Sequence, residues 1–428
     1  MHQSATFYRV TAIRIIVVFL LLTSAQTGSV NAQPDTLIVK ARGEFDKANY
    51  PQAIEYLNQA LAESPDNAEI HYYLGFFLHY LCYDSVPLTG FDRTKSDEVL
   101  SYLRKAIELD PKLGNAYYFL GAEYGGRARD AMRIGNAEEA IEQFRRARNA
   151  GAFPDWLLEY GRNELRSCEP DAILFVAGDA ETNAVEYLQC VEKYRTDITA
   201  IPAALMERPW AIKMFRDGVE GCIRPAPMSW TDYQILDMHP YKWKQNPIRV
   251  PVPESIRQSA NIEQISFEWE IDPDLGNGEE LKYLSAGRAA LSDILITNQW
   301  QRPIYFSMGC PLSKGLEQYI QTTGFVRQLL PYHVAGDIDI ARTESLVLDE
   351  GNYTSLHTLI DNDMPRVSQL LQNYRFLFLS LAYQYAQSGD MDKARAVFTS
   401  MKTHLPENIL PVTEPYKRNL ELLEGMIK

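Results

Sequence analysis

Two short stretches of this sequence carry residue types that could do chemistry. The first is Gly178-Asp179-Ala180-Glu181-Thr182-Asn183, where a short apolar run gives way to a helical pattern. Open α/β sheets gather ligands at such strand-to-helix edges. Asp179, Thr182 and Asn183 could hydrogen-bond a sugar or another polar group there, and the first N–H groups of the helix could receive an anion. The competing reading is that Asp179 caps the helix by accepting from its orphan N–H groups. The sequence favours the cap, since it lacks the glycine-rich fingerprint of a phosphate-binding or dinucleotide loop. The second stretch is Thr297-Asn298-Gln299-Trp300-Gln301-Arg302-Pro303, ahead of another apolar run. Trp300 could stack on a carbohydrate that Arg302 clasps, or the pair could seal an α/β layer onto a helix of the flanking repeats. Asn298 suits a left-handed helix stop, and Pro303 the first residue of a strand. If the strand after Pro303 lies parallel beside the one before Gly178, then Asp179, Ser307 and Cys310 converge on one edge.

Other chemistry is poorly supplied. There is no Gly-x-Ser-x-Gly elbow and no His-Glu-x-x-His, and the seven His are scattered. His79 and Cys82 stand one helical turn apart, but two ligands do not make a zinc site. The expectation is therefore a protein without catalytic residues, metal or cofactor.

The elements that must position these residues are helical repeats around a non-repeating middle. At the C-terminal end Phe378, Leu381, Ala382, Tyr385, Ala394, Phe398, Met401 and Pro406 stand at the spacing of one tetratricopeptide (TPR) unit, with Gly389-Asp390 at its internal turn. Near the other end, residues 34–67 form a first repeat with Ala53, Leu57 and Ala60 as its packing stripe. A second opens at Leu74-Gly75 and resumes with Val99, Leu103 and Ala106 after an insertion over residues 82–95. A third runs from Tyr117, Leu120, Gly121 and Tyr124 to Ala140, Phe144 and Ala147, interrupted at residues 127–133. Three units are about the minimum for a stable stack. In this register Tyr72, Phe76 and His79, with Tyr118 beside them, line the concave groove, either as anchors for a peptide or as packing for the chain's own middle segment.

The period breaks after residue 165. Residues 171–178 are an apolar run bounded by turn residues, the pattern of a strand buried on both faces. A helix with Ala184, Leu188 and Val191 on one face and a second apolar run at 198–205 complete a βαβ unit. Residues 222–262 are Pro- and Trp-rich and read as irregular, and 265–271 as a strand or pairing edge. Residues 281–298 then read as a helix, 303–308 as a buried strand and 316–323 as a helix. The expected fold class is thus α plus α/β, with TPR helices at both ends flanking a small, mostly parallel, Rossmann-like module. The expected boundaries are 1–32 leader, 33–165 repeats, 166–335 α/β module and 336–428 C-terminal helices.

The leader is expected because Arg9 and Arg14 precede the apolar run 15–22 and small residues follow at Thr23, Ala25, Val30 and Ala32, the order of a secretory signal peptide. Cleavage after Ala25 or Ala32 would give a periplasmic or secreted chain without a membrane span. The full chain has 42 basic and 56 acidic residues, net −14, and losing the leader removes two basic residues and deepens this to −16. That balance disfavours nucleic acid and anionic lipid surfaces. Five Cys without CxxC spacing are too sparse for a disulfide scaffold. Buried thiols are expected, with Cys168–Cys222 or Cys190–Cys222 as possible pairings.

Residues Ile173-Leu174-Phe175-Val176-Ala177-Gly178-Asp179-Ala180-Glu181-Thr182, then Tyr187-Leu188-Gln189 and Val191-Glu192, resemble a stretch in the soluble C-terminal part of large bacterial multi-spanning proteins grouped with transmembrane protein O-mannosyltransferases. The likeness resumes at Leu291-Ser292-Asp293-Ile294-Leu295, Trp300 and Arg302-Pro303-Ile304-Tyr305-Phe306, and closes at Gly315-Leu316-Glu317-Gln318-Tyr319, Gly324 and Leu329-Leu330-Pro331. It covers roughly 165–410. The family's aromatic-proline step after Thr182 is replaced by Asn183-Ala184. Its transfer chemistry is attributed to an acidic motif in a membrane region, and beyond the leader this sequence has no run apolar enough to be one. The resemblance implies an accessory, membrane-distal module exported alone.

Together these readings predict an exported, non-catalytic TPR scaffold of the cell envelope that binds a protein or peptide. The alternative is a carbohydrate-binding or carbohydrate-active accessory protein using the edge near Asp179.

Overall fold

The structure, a computed structural model, describes residues 32–89, 92–244, 246–276, 282–359 and 365–427. Nearly all of the expected leader, residues 1–31, lies outside the described residues, as does the side chain of Cys82. The described chain falls into two compact units divided near residue 111.

The first unit holds four helices, α1 (Ala32–Asp46), α2 (Tyr50–Glu63), α3 (Ala68–Thr89) and α4 (Arg93–Leu109). Ala53, Leu57 and Ala60 of α2 and Val99, Leu103 and Ala106 of α4 are wholly buried, the stripes that the repeat register requires. The Asp92 side chain caps α4 by accepting from Thr94 N at 3.1 Å and Lys95 N at 3.2 Å. Gly75 is needed on α3, because a Cβ there would lie 2.7 Å from the Leu103 side chain.

The second unit opens with the third repeat, α5 (Gly114–Arg133) and α6 (Ala137–Asn149), followed by α7 (Asp155–Ser167). The expected interruption at 127–133 does not occur. Its seven residues amount to about two helical turns, so α5 simply lengthens and keeps its buried face in phase. Beyond α7 come β1 (Ile173–Val176), α8 (Asp179–Cys190), β2 (Thr199–Pro202), α9 (Pro209–Asp217) and α10 (Asp232–Leu236). The segment expected to be irregular and its sequel hold β3 (Tyr241–Lys242), β4 (Ile248–Pro251), α11 (Glu254–Ala260), β5 (Ser266–Trp269), β6 (Leu275–Gly276) and β7 (Lys282–Leu284). The expected helix over 281–298 begins only at α12 (Ala286–Asn298), where Ser285 accepts from Arg288 N at 3.2 Å. Then follow β8 (Ile304–Ser307), β9 (Ile320–Thr323), β10 (Val326–Leu329) and α13 (Ile340–Val347).

The main sheet has the order β2-β1-β8-β10-β9. β1 runs parallel to β2 and β8, with Ile173 opposite Thr199 and Ile304. β10 is antiparallel to both β8 and β9. The expected mostly parallel, Rossmann-like sheet is therefore corrected to a mixed one, because the helix expected at 316–323 is instead a short 3₁₀ turn and β9. The β-branched run Ile320, Thr322, Thr323 favours the strand, and Gly324 at φ +63° turns it back into β10. β3-β7-β6 and β4-β5 form two small separate sheets.

The chain ends in α14 (Pro365–Gln387), α15 (Met391–His404) and α16 (Glu414–Ile427). Gly389 at φ +85° makes the turn, and Asp390 caps α15 by accepting from Lys393 N at 3.1 Å. Phe378, Leu381, Ala382, Tyr385, Ala394, Phe398 and Met401 are all buried, as the repeat spacing predicts. Ala394, expected at a close helix contact, is 0 % exposed. Ala394→Leu is expected to overpack it and destabilise the protein by about 1–3 kcal/mol. A urea unfolding midpoint equal to wild type would show the register to be wrong.

Candidate functional site

The C-terminal ends of β1 and β8 lie at a topological switch point, since β1 continues through α8 to β2 on one side and meets β8 on the other. Gly178, at φ +74°, makes the sharp turn and itself occupies the N-cap position. Asp179 is thus one residue inside the helix and caps nothing with its side chain, contrary to the cap expected for it. Its exposed carboxylate accepts from the Tyr118 hydroxyl at 3.1 Å. Tyr118, expected in the repeat groove, therefore stands beside the turn into α8.

Thr182 and Asn183 are buried and turn inward. Asn183 Oδ1 accepts from Arg129 Nη1 at 3.0 Å, and the same guanidinium meets Glu186 at 2.6 Å. A Cβ on Gly125 would lie 2.0 Å from Asn183 Oδ1, so only glycine lets α5 approach α8 this closely. Ser307, at the end of β8, accepts from Ala177 N at 3.0 Å and donates to Glu181 at 3.5 Å. Ser307 and the turn into α8 do meet on one edge, joined through Glu181.

Beneath the turn lies a pair of acids that the sequence reading did not assemble. Glu164 of α7 is 0 % exposed and Glu181 of α8 is 4 % exposed. Burial pushes the Glu181 carboxyl up to about 8 and holds that of Glu164 well above the usual carboxylate range. Glu181 also accepts from the Tyr160 hydroxyl at 3.5 Å. Both Glu164 oxygens lack a donor among the ordinary protein groups, and the two carboxyls lie in hydrogen-bond contact. One shared proton satisfies both observations, making one acid the donor and the other the acceptor. Nearby, burial pushes the Cys310 thiol up to about 12. The cluster holds its protons at neutral pH, away from solvent. No spacing rule could have found it, because Glu164 looks like a surface residue on an amphipathic helix.

Trp300 and Arg302 are elsewhere. They precede β8 and so lie at the opposite edge of the sheet, a strand of four residues, about 13 Å, from Ser307. Arg302 donates to Asp171 O at 2.7 Å, Ala172 O at 3.0 Å, Pro225 O at 2.9 Å and Thr199 Oγ1 at 2.6 Å. It closes loops at the base of the sheet, and neither clasps an open site nor covers a repeat helix. Trp300 packs edge-on against Phe267, centroids 5.1 Å apart. The left-handed stop falls on Gln299 and Trp300, at φ +46° and +60°, not on Asn298. Asn298 stays helical, with its side chain bonded to the Arg302 backbone through both polar atoms.

In the first unit Tyr72, Phe76 and His79 are 7 %, 7 % and 6 % exposed. Phe76 packs on Phe45, Phe77 and Tyr80 with centroids 5.0–5.3 Å apart. These rings do not line an open groove in the free chain. Phe76→Ala is expected to leave a void and cost about 3–5 kcal/mol of stability. A melting curve unchanged from wild type would return the ring to the role of an exposed anchor.

Of the two disulfide pairings expected, the structure brings one together. The buried thiols of Cys190 and Cys222 are in hydrogen-bond contact, which draws the Cys222 thiol down while burial raises Cys190. Lys193 Nζ donates to Gly221 O at 2.8 Å and ties the two segments. Cys168 sits instead against Glu164 O at 3.5 Å. Non-reducing peptide mapping of protein oxidised with glutathione disulfide is expected to find Cys190–Cys222. A Cys168–Cys222 peptide would contradict this geometry.

Residues 157–271 and 244–347 match the family described as TMEM260-associated domain 2, and residues 42–80 match a TPR repeat. No curated protein matches the chain. Among solved structures, that of yeast Tom70 is similar at 15 % identity, over 92 % of this chain and 68 % of that one, with a TM-score of 0.19, too low for any comparison of arrangement. No described helix is long and apolar enough to cross a membrane. The chain thus carries segments similar to a TPR repeat and to TMEM260-associated domain 2.

Proposed function

We propose that the protein is an exported, non-catalytic scaffold of the cell envelope that holds a protein partner. The observation that carries this reading is the tetratricopeptide segment at residues 42–80, an architecture that serves protein–protein contact. The commitment of Asn183 to a buried hydrogen bond with Arg129 leaves fewer polar groups free for catalysis at the strand-end edge. Export rests on the Arg-flanked apolar run of the leader. The mature chain is expected to begin near Gln26 or Gln33 and to fractionate as soluble, and an intact N-terminus in the membrane pellet would overturn export. Crosslinked co-purification from the native envelope is expected to yield one stoichiometric protein partner, and none in repeated preparations would overturn the scaffold role.

The match to a TMEM260-associated domain over 157–347 favours a second reading, a carbohydrate-associated accessory module that uses Asp179, Thr182, Asn183 and Ser307. A thermal shift with sugars or nucleotide sugars that disappears in Asp179→Asn would support it.

A further inference from the structure

A second surface of the module lies apart from the acid pair. It is an open cleft of about 460 Å³ built on the Pro- and Trp-rich segment. Its lining is aliphatic at Ile248, Ile271, Leu284, Ala289 and Ile296, and aromatic at Trp230, Tyr233 and Tyr241. Tyr233 is 77 % exposed and Ile296 48 %. Large apolar groups left in water together mark interaction sites.

Two features say what would cover it. The lining holds two carboxylates, Asp237 and Asp293, and no Lys or Arg. Asp293 is oriented by Ser229, whose N–H donates to it at 2.8 Å and whose hydroxyl donates to its other oxygen. The cleft is lined by Tyr241 of β3, which among the described residues pairs only with β7, and by Ile248 of β4, which pairs only with β5. A strand paired on one side offers its main chain to an incoming extended segment.

We propose that this cleft seats an extended segment of a partner protein, laid along an open strand edge, with apolar side chains on the aliphatic lining and a Lys or Arg facing Asp237 and Asp293. The proposal rests on the scaffold reading and moves the point of docking from the repeat helices to the module.

The full chain is titrated by calorimetry with a ten-residue peptide alternating valine and lysine, a counterpart alternating valine and glutamate, and a manno-oligosaccharide. Only the lysine peptide is expected to bind. Tyr233→Ser combined with Ile296→Ser should weaken it about tenfold or more with the melting temperature unchanged, since both side chains are exposed. Asp237→Asn should weaken it and reduce its sensitivity to salt. Failure of the lysine peptide to bind overturns the proposal, and so does equal binding to wild type and the double variant, which would reflect only the chain's negative charge. Sugar binding lost in the double variant overturns it as well and assigns the cleft to carbohydrate. If an envelope partner still co-purifies with the double variant, the cleft proposal falls and the scaffold reading stands. If no partner co-purifies with the wild-type chain, the scaffold reading itself falls.

Discussion

Replacing Arg129 by Ala is expected to destabilise the second unit by about 3–5 kcal/mol, because it strips the counter-ion from a buried carboxylate. Arg129 and Glu186 are 7 % and 6 % exposed in their side chains and 2.6 Å apart. The variant would also leave Asn183 Oδ1 without its donor. Burial already raises the Glu186 carboxyl, and Arg129 is what opposes that rise. In Arg129→Ala the acid should therefore titrate higher still, so the defect should shrink as pH falls and Glu186 takes up a proton. Urea unfolding at pH 5 and pH 8 checks both statements. A loss under 1 kcal/mol at both pH values would mean that water reaches the pair. The double variant Arg129→Met, Glu186→Leu should recover most of the loss, since an apolar pair of similar volume replaces a desolvated ion pair at little cost.

The second large effect is a dependence of stability on pH set by Glu164 and Glu181. Both carboxyls are raised on folding, Glu181 to about 8 from an ordinary value of 4.5. A raised acid binds more protons folded than unfolded, so its contribution to stability is full below about pH 4.5 and is lost as pH climbs toward the folded value. One bound proton gives a slope of about 1.4 kcal/mol per pH unit over that window, so Glu181 alone can remove on the order of 4 kcal/mol between about pH 5 and pH 8. Glu164→Gln should flatten the profile, since the amide keeps the volume, donates to Glu181 and takes away the acid–acid conflict. Matching pH slopes in wild type and Glu164→Gln would sink the shared-proton account. The pair then has a structural role: it is affordable only while neutral, and it ties α7 to the start of α8 directly under the exposed turn that carries Asp179.

The residues alone determined the local order of this protein. The C-terminal hairpin could be read because its small residues recur at helical spacing and Gly389-Asp390 supplies both the positive φ and the cap. β1 and β8 could be read because Ile173–Val176 and Ile304–Ser307 are short apolar runs that only a strand covered on both faces accommodates. Which groups meet was decided by tertiary structure. Arg302 and Ser307 are near neighbours in sequence, yet β8 carries its two ends to opposite edges of the sheet. Glu164 is buried because Asn163 and Tyr160 of α7 bond to Tyr374 and Asn373 of α14, some 210 positions away, and that docking covers the helix. The mixed sheet likewise depended on a hairpin whose pairing is non-local. Spacing encodes what a segment becomes, because that follows from its own backbone and side-chain periodicity. Desolvation and contact depend on distant elements, and those alone created the acid pair and the open cleft.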